Sequence, residues 1–209
     1  MRVFILCTGR TGSTSIIKAC EHIDNFSSGH ETLARKFGKS RFDFPDHHIE
    51  ADNRLSWEPG KLDQNFGDEP YFVHLKRQKE RVAESYFSRY FKPESIMDAY
   101  CSGVKMTPAE KLSDQKRYEA CLDYIETVDS NISFFLSNKS KVLTMHLENI
   151  EEDFRNFWNE IGAKGDFNAA IAEFQSSHNA SRKRDLHIRY RLRLAFLREW
   201  KHLRMAMGK

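Results

Sequence analysis

The feature that most constrains the fold is an apolar segment at residues 3–7, Val-Phe-Ile-Leu-Cys, which a glycine-containing turn follows directly. The segment holds no charged residue and is partly β-branched, which predicts a strand buried on both faces. Residues 15–22 then show the apolar spacing of a helix. A strand, a tight turn and a helix in this order predict the first βα unit of a parallel sheet.

The same alternation recurs along the chain. Apolar runs predict further strands at 71–75 and 141–145, and residues 25–28 are predicted to be a short second strand that ends near 29–31. Helical spacing follows at 81–90, 107–135 and 154–161, with Thr107 and Pro108 expected to open the long helix and Gly162 to end the last one. The polar stretch 32–69 contains the turn signal Glu-Pro-Gly at 58–60 and is predicted to be an ordered excursion with short helices.

Strands that alternate with helices predict an α/β fold with a central parallel sheet flanked by helices. Ligands of such sheets bind at the carboxyl ends of the strands. The loops expected at that edge are 8–15, 29–31 and 76–85.

The first of these loops has the composition of an anion site. Gly9 and Gly12 allow the backbone to curl so that successive N–H groups face inward, and the following helix adds its positive N-terminal dipole. Arg10 adds a fixed charge. Hydroxyl donors stand close by at Thr11, Ser13, Thr14 and Ser15. This combination predicts a phosphate or sulfate site.

Several other site types are disfavoured. A nucleoside-triphosphatase loop needs lysine after its last glycine, and a C-x5-R phosphatase loop starting at Cys7 needs arginine at the same position, which is Ser13 here. H-E-x-x-H is absent, so no metal site is predicted. The four cysteines form no C-x-x-C pair and are expected to be free thiols.

Two motifs resemble one enzyme family. The run 9–14, Gly-Arg-Thr-Gly-Ser-Thr, resembles the phosphosulfate-binding loop of sulfotransferases that use 3′-phosphoadenosine 5′-phosphosulfate (PAPS). In that family a strand-end arginine and a serine eight residues later hold the 3′-phosphate, and Arg77 and Ser85 have this spacing. Lys79 stands where the family usually has proline. Segments 48–57 and 147–150 are also similar to family segments, so the resemblance spans most of residues 3–160.

The resemblance implies a P-loop NTPase-like three-layer fold, PAPS as donor, 3′,5′-ADP as product and a hydroxyl acceptor whose class stays open. It implies that Glu31, with His30 as the alternative, is the general base, and that Arg10 stabilises charge during transfer. Glu31 could instead cap or solvate a helix starting near Thr32. The implied nucleotide-binding residues are Gly9, Arg10, Thr11, Gly12, Ser13, Thr14, Ser15, Arg77 and Ser85.

The stretch 32–69 is expected to be an insertion on the acceptor side of one domain that spans 1–209. It contains a polar cluster that suits an acceptor pocket, a solvated loop or a structural salt-bridge network equally well. The cluster consists of His47, His48, Glu50, Asp52 and Arg54.

Residues 182–209 are predicted to form a basic helix, with ten Lys or Arg against two carboxylates. Such a helix suits an anionic partner, or it docks on the domain through its apolar stripe. Residues 3–7 are too short for a membrane span or a signal peptide, so no integral membrane segment and a cytoplasmic location are expected. Two alternatives stay open: an ATP-dependent small-molecule kinase, and a non-catalytic module that binds nucleotide or, less plausibly on this composition, nucleic acid.

Overall fold

A five-stranded parallel sheet forms the centre of the structure, a computed structural model that describes residues 1–92, 95–107, 112–175 and 196. The strand order is β2-β3-β1-β4-β5, and every neighbouring pair is parallel. The strands are β1 (Val3–Leu6), β2 (Ser27–His30), β3 (His48–Ala51), β4 (Tyr71–Lys76) and β5 (Val142–His146).

Helices connect the strands. The α-helices are α1 (Ser13–Cys20), α2 (Pro59–Phe66), α3 (Lys79–Phe87), α4 (Ile96–Asp98), α5 (Asp114–Leu136), α6 (Ile150–Glu160) and α7 (Phe167–Ala172). Single 3₁₀ turns lie at Gly38–Phe42, Leu55–Trp57, Leu147–Asn149 and Glu173–Gln175, and a π-helical turn at Ala99–Val104. Among the described residues, no helix combines the length and apolar character that crossing a bilayer requires.

The described residues form two compact units. One contains Met1–Ala83 and the chain from Leu122 to Gln175, and therefore the whole sheet. The other contains Glu84–Cys121, with α4 and the π-helical turn. The single-domain organisation of residues 1–209 stays a prediction.

Strand β1 is completely buried because it lies in the middle of the sheet. Its odd-numbered residues belong to a core with apolar residues of α1, α6 and α7. On the opposite face, the ring of Phe4 contacts the ring of Phe66 in α2 at 5.1 Å between centroids. On that face too, Phe72 of β4 meets Phe135 of α5 edge to face. Helices therefore cover both faces, and the predicted three-layer α/β architecture with a parallel sheet is confirmed.

The predicted strands at 25–28, 71–75 and 141–145 correspond to β2, β4 and β5 with shifts of one or two residues at their ends. Short helices occur within 32–69, as predicted. One strand within that stretch, β3, is not predicted by the sequence, although it pairs with both β1 and β2.

The expected start of the long helix at Thr107 is wrong. The helix α5 begins at Asp114, after Ser113, whose hydroxyl accepts a hydrogen bond from the N–H of Lys116 at 3.3 Å. A serine that accepts from the third helical residue is a typical N-cap. Residues 108–111 and the predicted basic helix at 182–209, apart from the exposed Phe196, lie outside the described residues.

Candidate functional site

The segments that carry the predicted site residues lie at one edge of the sheet, because the carboxyl ends of parallel strands share an edge. The glycine turn follows β1, Glu31 follows β2, and Arg77 follows β4. The segment 52–57 follows β3 and approaches the same edge beside the glycine turn.

The glycine turn has an unusual backbone conformation. Gly9, Arg10 and Gly12 have φ values of 80°, 63° and 95°. Left-handed residues in close succession arrange N–H groups as an anion-binding concavity. Arg10 is the one residue of these three that is not glycine. A non-glycine residue in the left-handed conformation costs about 1–3 kcal/mol, and such residues are concentrated at functional sites.

In the part of the chain that the structure describes, the N-terminus of α1 has no side-chain cap. Gly12 is the N-cap residue and supplies no side-chain hydrogen bond, and the first turn of the helix holds no acidic residue. The first N–H groups of a helix need acceptors, and the helix dipole favours a negative one. The turn and the helix start together fit a phosphate or sulfate group.

Buried contacts fix the position of this turn. The Ser56 hydroxyl accepts from the N–H of Cys7 at 3.3 Å and donates to its carbonyl oxygen at 3.1 Å. The Tyr124 hydroxyl donates to the carbonyl oxygen of Thr8 at 2.7 Å. The site is therefore preorganised by residues of two other segments, 55–57 and α5.

Arg77 reaches the glycine turn, and its role in binding a 3′-phosphate stays a prediction. Its Nη1 donates to the carbonyl oxygen of Arg10 at 3.3 Å. Ser85 lies on α3, within the segment of the second unit, and its cooperation with Arg77 stays a prediction. Lys79 is the first residue of α3, and its ammonium pairs with Glu126. Proline is favoured at that helical position, which Lys79 occupies in this chain.

His30 and Glu31 lie at the end of β2. The Nε2 atom of His30 is 3.0 Å from the hydroxyl oxygen of Ser13 in the first turn of α1. The Glu31 carboxylate pairs with Arg54 Nη1 at 2.7 Å. Glu31 does not cap the turn that follows it, since the N–H of Thr32 donates to Glu50 instead, at 2.8 Å.

Sequence reasoning missed a buried network beneath this turn. Glu50 is fully buried and accepts from the N–H and the hydroxyl of Thr32 and from His48 Nε2 at 3.0 Å. His48 Nδ1 is 2.8 Å from the Ser27 hydroxyl. Burial alone would raise the pKa of Glu50, but the hydrogen bonds from His48 and Thr32 outweigh it and lower this pKa.

A second buried pair lies after β3. Asp52 is fully buried and accepts from Arg41 Nη2 at 2.7 Å and from the N–H of Arg54 at 2.8 Å. Burial raises the pKa of Asp52, and these partners oppose the rise. Arg41, which also donates to Glu58 at 2.9 Å, has no local sequence signal.

The polar cluster at 47–54 is therefore largely structural. His48, Glu50 and Asp52 are buried in the networks described above, so a solvated loop is the wrong description for them. Arg54 keeps its contact with Glu31, and His47 is exposed with a φ of 52°.

The four cysteines are buried and unpaired with one another. Burial raises the pKa of the Cys7 thiol to about 11, which leaves it protonated beneath the glycine turn. Among the described residues, no group of three or more His, Cys, Asp or Glu side chains is arranged to hold a metal ion.

Comparison with known proteins gives a structural match. No family model and no curated protein sequence matches the chain. Among solved structures, mouse sulfotransferase SULT7A1 in complex with PAP superposes with a TM-score of 0.57 over 86% of this chain and 68% of that chain, at 16% sequence identity. The chain therefore has a sulfotransferase-like, P-loop-type α/β fold.

Proposed function

We propose that this chain is a sulfotransferase that transfers the sulfonate of PAPS to a hydroxyl acceptor and releases 3′,5′-ADP. The proposal rests chiefly on the contact that brings Arg77 to a glycine turn at an open helix N-terminus. The sulfotransferase-like fold, shared with a PAP-bound neighbour, supports it.

The proposed roles follow from the chemistry of each group. Residues 9–15 would bind the phosphosulfate through backbone N–H groups and hydroxyls, which suits an anion at a helix start. Arg77 and Ser85 would bind the 3′-phosphate, since a guanidinium and a hydroxyl are good phosphate donors. Arg10, in the same turn, would stabilise the negative charge that develops during transfer.

The proposed reaction is an in-line displacement at sulfur. The acceptor oxygen forms a new S–O bond, and the bond between sulfur and the bridging phosphate oxygen breaks. That oxygen keeps the electron pair as part of 3′,5′-ADP, and the acceptor proton passes to a general base. Holding both reactants in line is the main contribution that such a site makes.

Glu31 and His30 are the candidates for this base. Glu31→Gln is expected to keep 3′,5′-ADP binding and to reduce turnover about a hundredfold or more, the usual effect of losing a general base. Turnover is measured as 3′,5′-ADP released from PAPS with a panel of hydroxyl acceptors. If Glu31→Gln keeps full turnover and His30→Ala loses turnover, the general base would be assigned to His30.

Isothermal titration separates this proposal from the kinase alternative. We expect 3′,5′-ADP to bind without magnesium. Binding of ATP that requires magnesium, with no binding of 3′,5′-ADP, would reject the sulfotransferase proposal.

Arg77→Ala tests the 3′-phosphate assignment directly. Its affinity for 3′,5′-ADP should fall about 10- to 100-fold, the effect of one lost hydrogen bond to a charged group. Its affinity for 5′-AMP, which has no 3′-phosphate, should change little. Arg35→Ala, which removes an exposed arginine elsewhere, is the matched control. Equal losses for both nucleotides in Arg77→Ala would contradict the assignment.

A further inference from the structure

Residues 35–39, Arg-Lys-Phe-Gly-Lys, form an exposed loop between β2 and β3, here called the basic loop. All five are exposed, and the Phe37 side chain is 90% exposed. Gly38 turns the chain with a φ of 60°, and a Cβ atom there would meet nothing within 4 Å. The Ser40 hydroxyl donates to the carbonyl oxygen of Phe37 at 2.8 Å, which defines the turn. Phe37 therefore projects from a structured tip.

The exposure of Phe37 contrasts with the other phenylalanines nearby. Phe42 and Phe44 are only 8% and 4% exposed. The segment thus has buried positions for aromatic rings and leaves Phe37 outside them. A single exposed apolar residue is ordinary on a protein surface. The charged residues next to Phe37 distinguish it from such a residue.

Three cations flank Phe37 in the sequence. Residues 32–42 contain no Asp or Glu. Arg41 and Arg54 are engaged by carboxylates, whereas Arg35, Lys36 and Lys39 form no ion pair within the part of the chain that the structure describes. The tip therefore presents one apolar ring within a local positive charge.

We propose that the basic loop binds the surface of an anionic lipid bilayer. Lipid phosphates and carboxylates complement the three cations, and the adjoining acyl boundary accepts the Phe37 ring. Acidic polysaccharides also complement the charge, but they offer no apolar surface beside it. Single-stranded nucleic acid could stack a base on the ring, but sites for it are grooves that carry several such rings, whereas this tip presents one. One ring and three cations give reversible association rather than permanent anchoring. The proposal is independent of the reaction that the chain catalyses.

Vesicle sedimentation tests the proposal with the whole chain. The chain should bind vesicles of phosphatidylcholine with about one third phosphatidylserine, bind neutral vesicles far less, and dissociate in high salt. The triple variant Arg35→Ala, Lys36→Ala, Lys39→Ala should lower the partition coefficient about a hundredfold. Phe37→Ala should lower it about tenfold.

Matched controls separate the loop from overall charge and hydrophobicity. Lys61, Lys92 and Lys164 are exposed lysines elsewhere, and changing all three to Ala removes the same charge. Phe134 on α5 is 78% exposed, so Phe134→Ala matches Phe37→Ala. Both controls should bind anionic vesicles like the wild type. Thermal melting verifies that every variant is folded.

Phe37→Trp reports insertion itself. Its fluorescence, after subtraction of the wild-type signal, should shift to the blue with anionic vesicles and be quenched by brominated acyl chains. The proposal is overturned if the wild type ignores anionic vesicles or if the controls lose as much binding as the loop variants. Loop-dependent binding of single-stranded DNA or heparin, without vesicle binding, would overturn it in favour of a polyanion.

Discussion

Gly12 meets two requirements at once at the residue scale. Its φ of 95° lies in the left-handed region, and a Cβ atom there would approach Leu147 Cδ1 to 2.8 Å. The flexible end of a leucine can move, but the backbone conformation remains unfavourable for an L side chain. Gly12 therefore fixes both the glycine turn and the start of α1.

Gly12→Ala should destabilise the fold by about 1–2 kcal/mol, the cost of a left-handed non-glycine residue, and weaken 3′,5′-ADP binding about tenfold or more. Denaturant unfolding and isothermal titration measure the two effects. Adding Leu147→Ala removes the contact between the new Cβ atom and the leucine side chain. The loss of stability that remains is then the cost of the backbone conformation. Gly60→Ala in α2 is the control, because a Cβ atom there meets nothing within 4 Å. Unchanged stability in Gly12→Ala would contradict the described conformation.

Local patterns make the glycine turn and Arg77 predictable. Glycines, a cation and hydroxyls between a strand and a helix predict an anion site from a few consecutive residues. The partners of Arg41, Glu50 and Tyr124 are different, because each contact depends on how distant segments fold together. No short motif encodes such pairs.

The clearest difference between prediction and structure at the scale of elements is β3. Its sequence, His-Ile-Glu-Ala, lacks the apolar character expected of a buried parallel strand. The strand is nevertheless buried, because hydrogen bonds from His48 and Thr32 compensate the Glu50 carboxylate. The hydrophobic pattern of a sequence cannot predict a buried strand whose polar groups are hydrogen-bonded by residues from other segments.

Several other elements have local signals in the sequence. The strand β1 is a continuous apolar run, and β4 begins with three apolar residues. The helix α6 has three acidic residues in its first turn, and Gly162 follows it with a φ of 64°. These features favour a helix start and a helix end respectively. The start of α5 was misplaced because Thr107 and Pro108 also make a good start signal, whereas Ser113 supplies the cap.

The stability of the whole molecule should depend on pH through Glu50. Its pKa is lower in the folded chain than the ordinary value of 4.5. Its ionised form therefore stabilises the fold above that value, and this contribution is lost as the pH falls through the folded pKa.

Glu50→Gln should lower the free energy of unfolding at pH 7 by about 1–3 kcal/mol, because buried donors lose a charged acceptor. The difference in free energy of unfolding between this variant and the wild type should become smaller below about pH 4. Urea unfolding of both chains at pH 7 and below about pH 4 measures these free energies. Glu119 also has a lowered pKa, through a hydrogen bond from Lys116, but its side chain is 44% exposed, so Glu119→Gln should have a smaller effect. A Glu50→Gln chain as stable as wild type at pH 7 would show that the network contributes nothing.

The central position of β1 has a consequence for how the chain folds during synthesis. Val3 pairs with Ile49 on one side and Tyr71 on the other, so its partners leave the ribosome long after it does. Until then its apolar side chains have no sheet to join, and such segments are typical targets for chaperones and for aggregation. Pairing between distant segments also slows folding. The glycine turn thus acquires its final shape only after β3 and β4 have been translated.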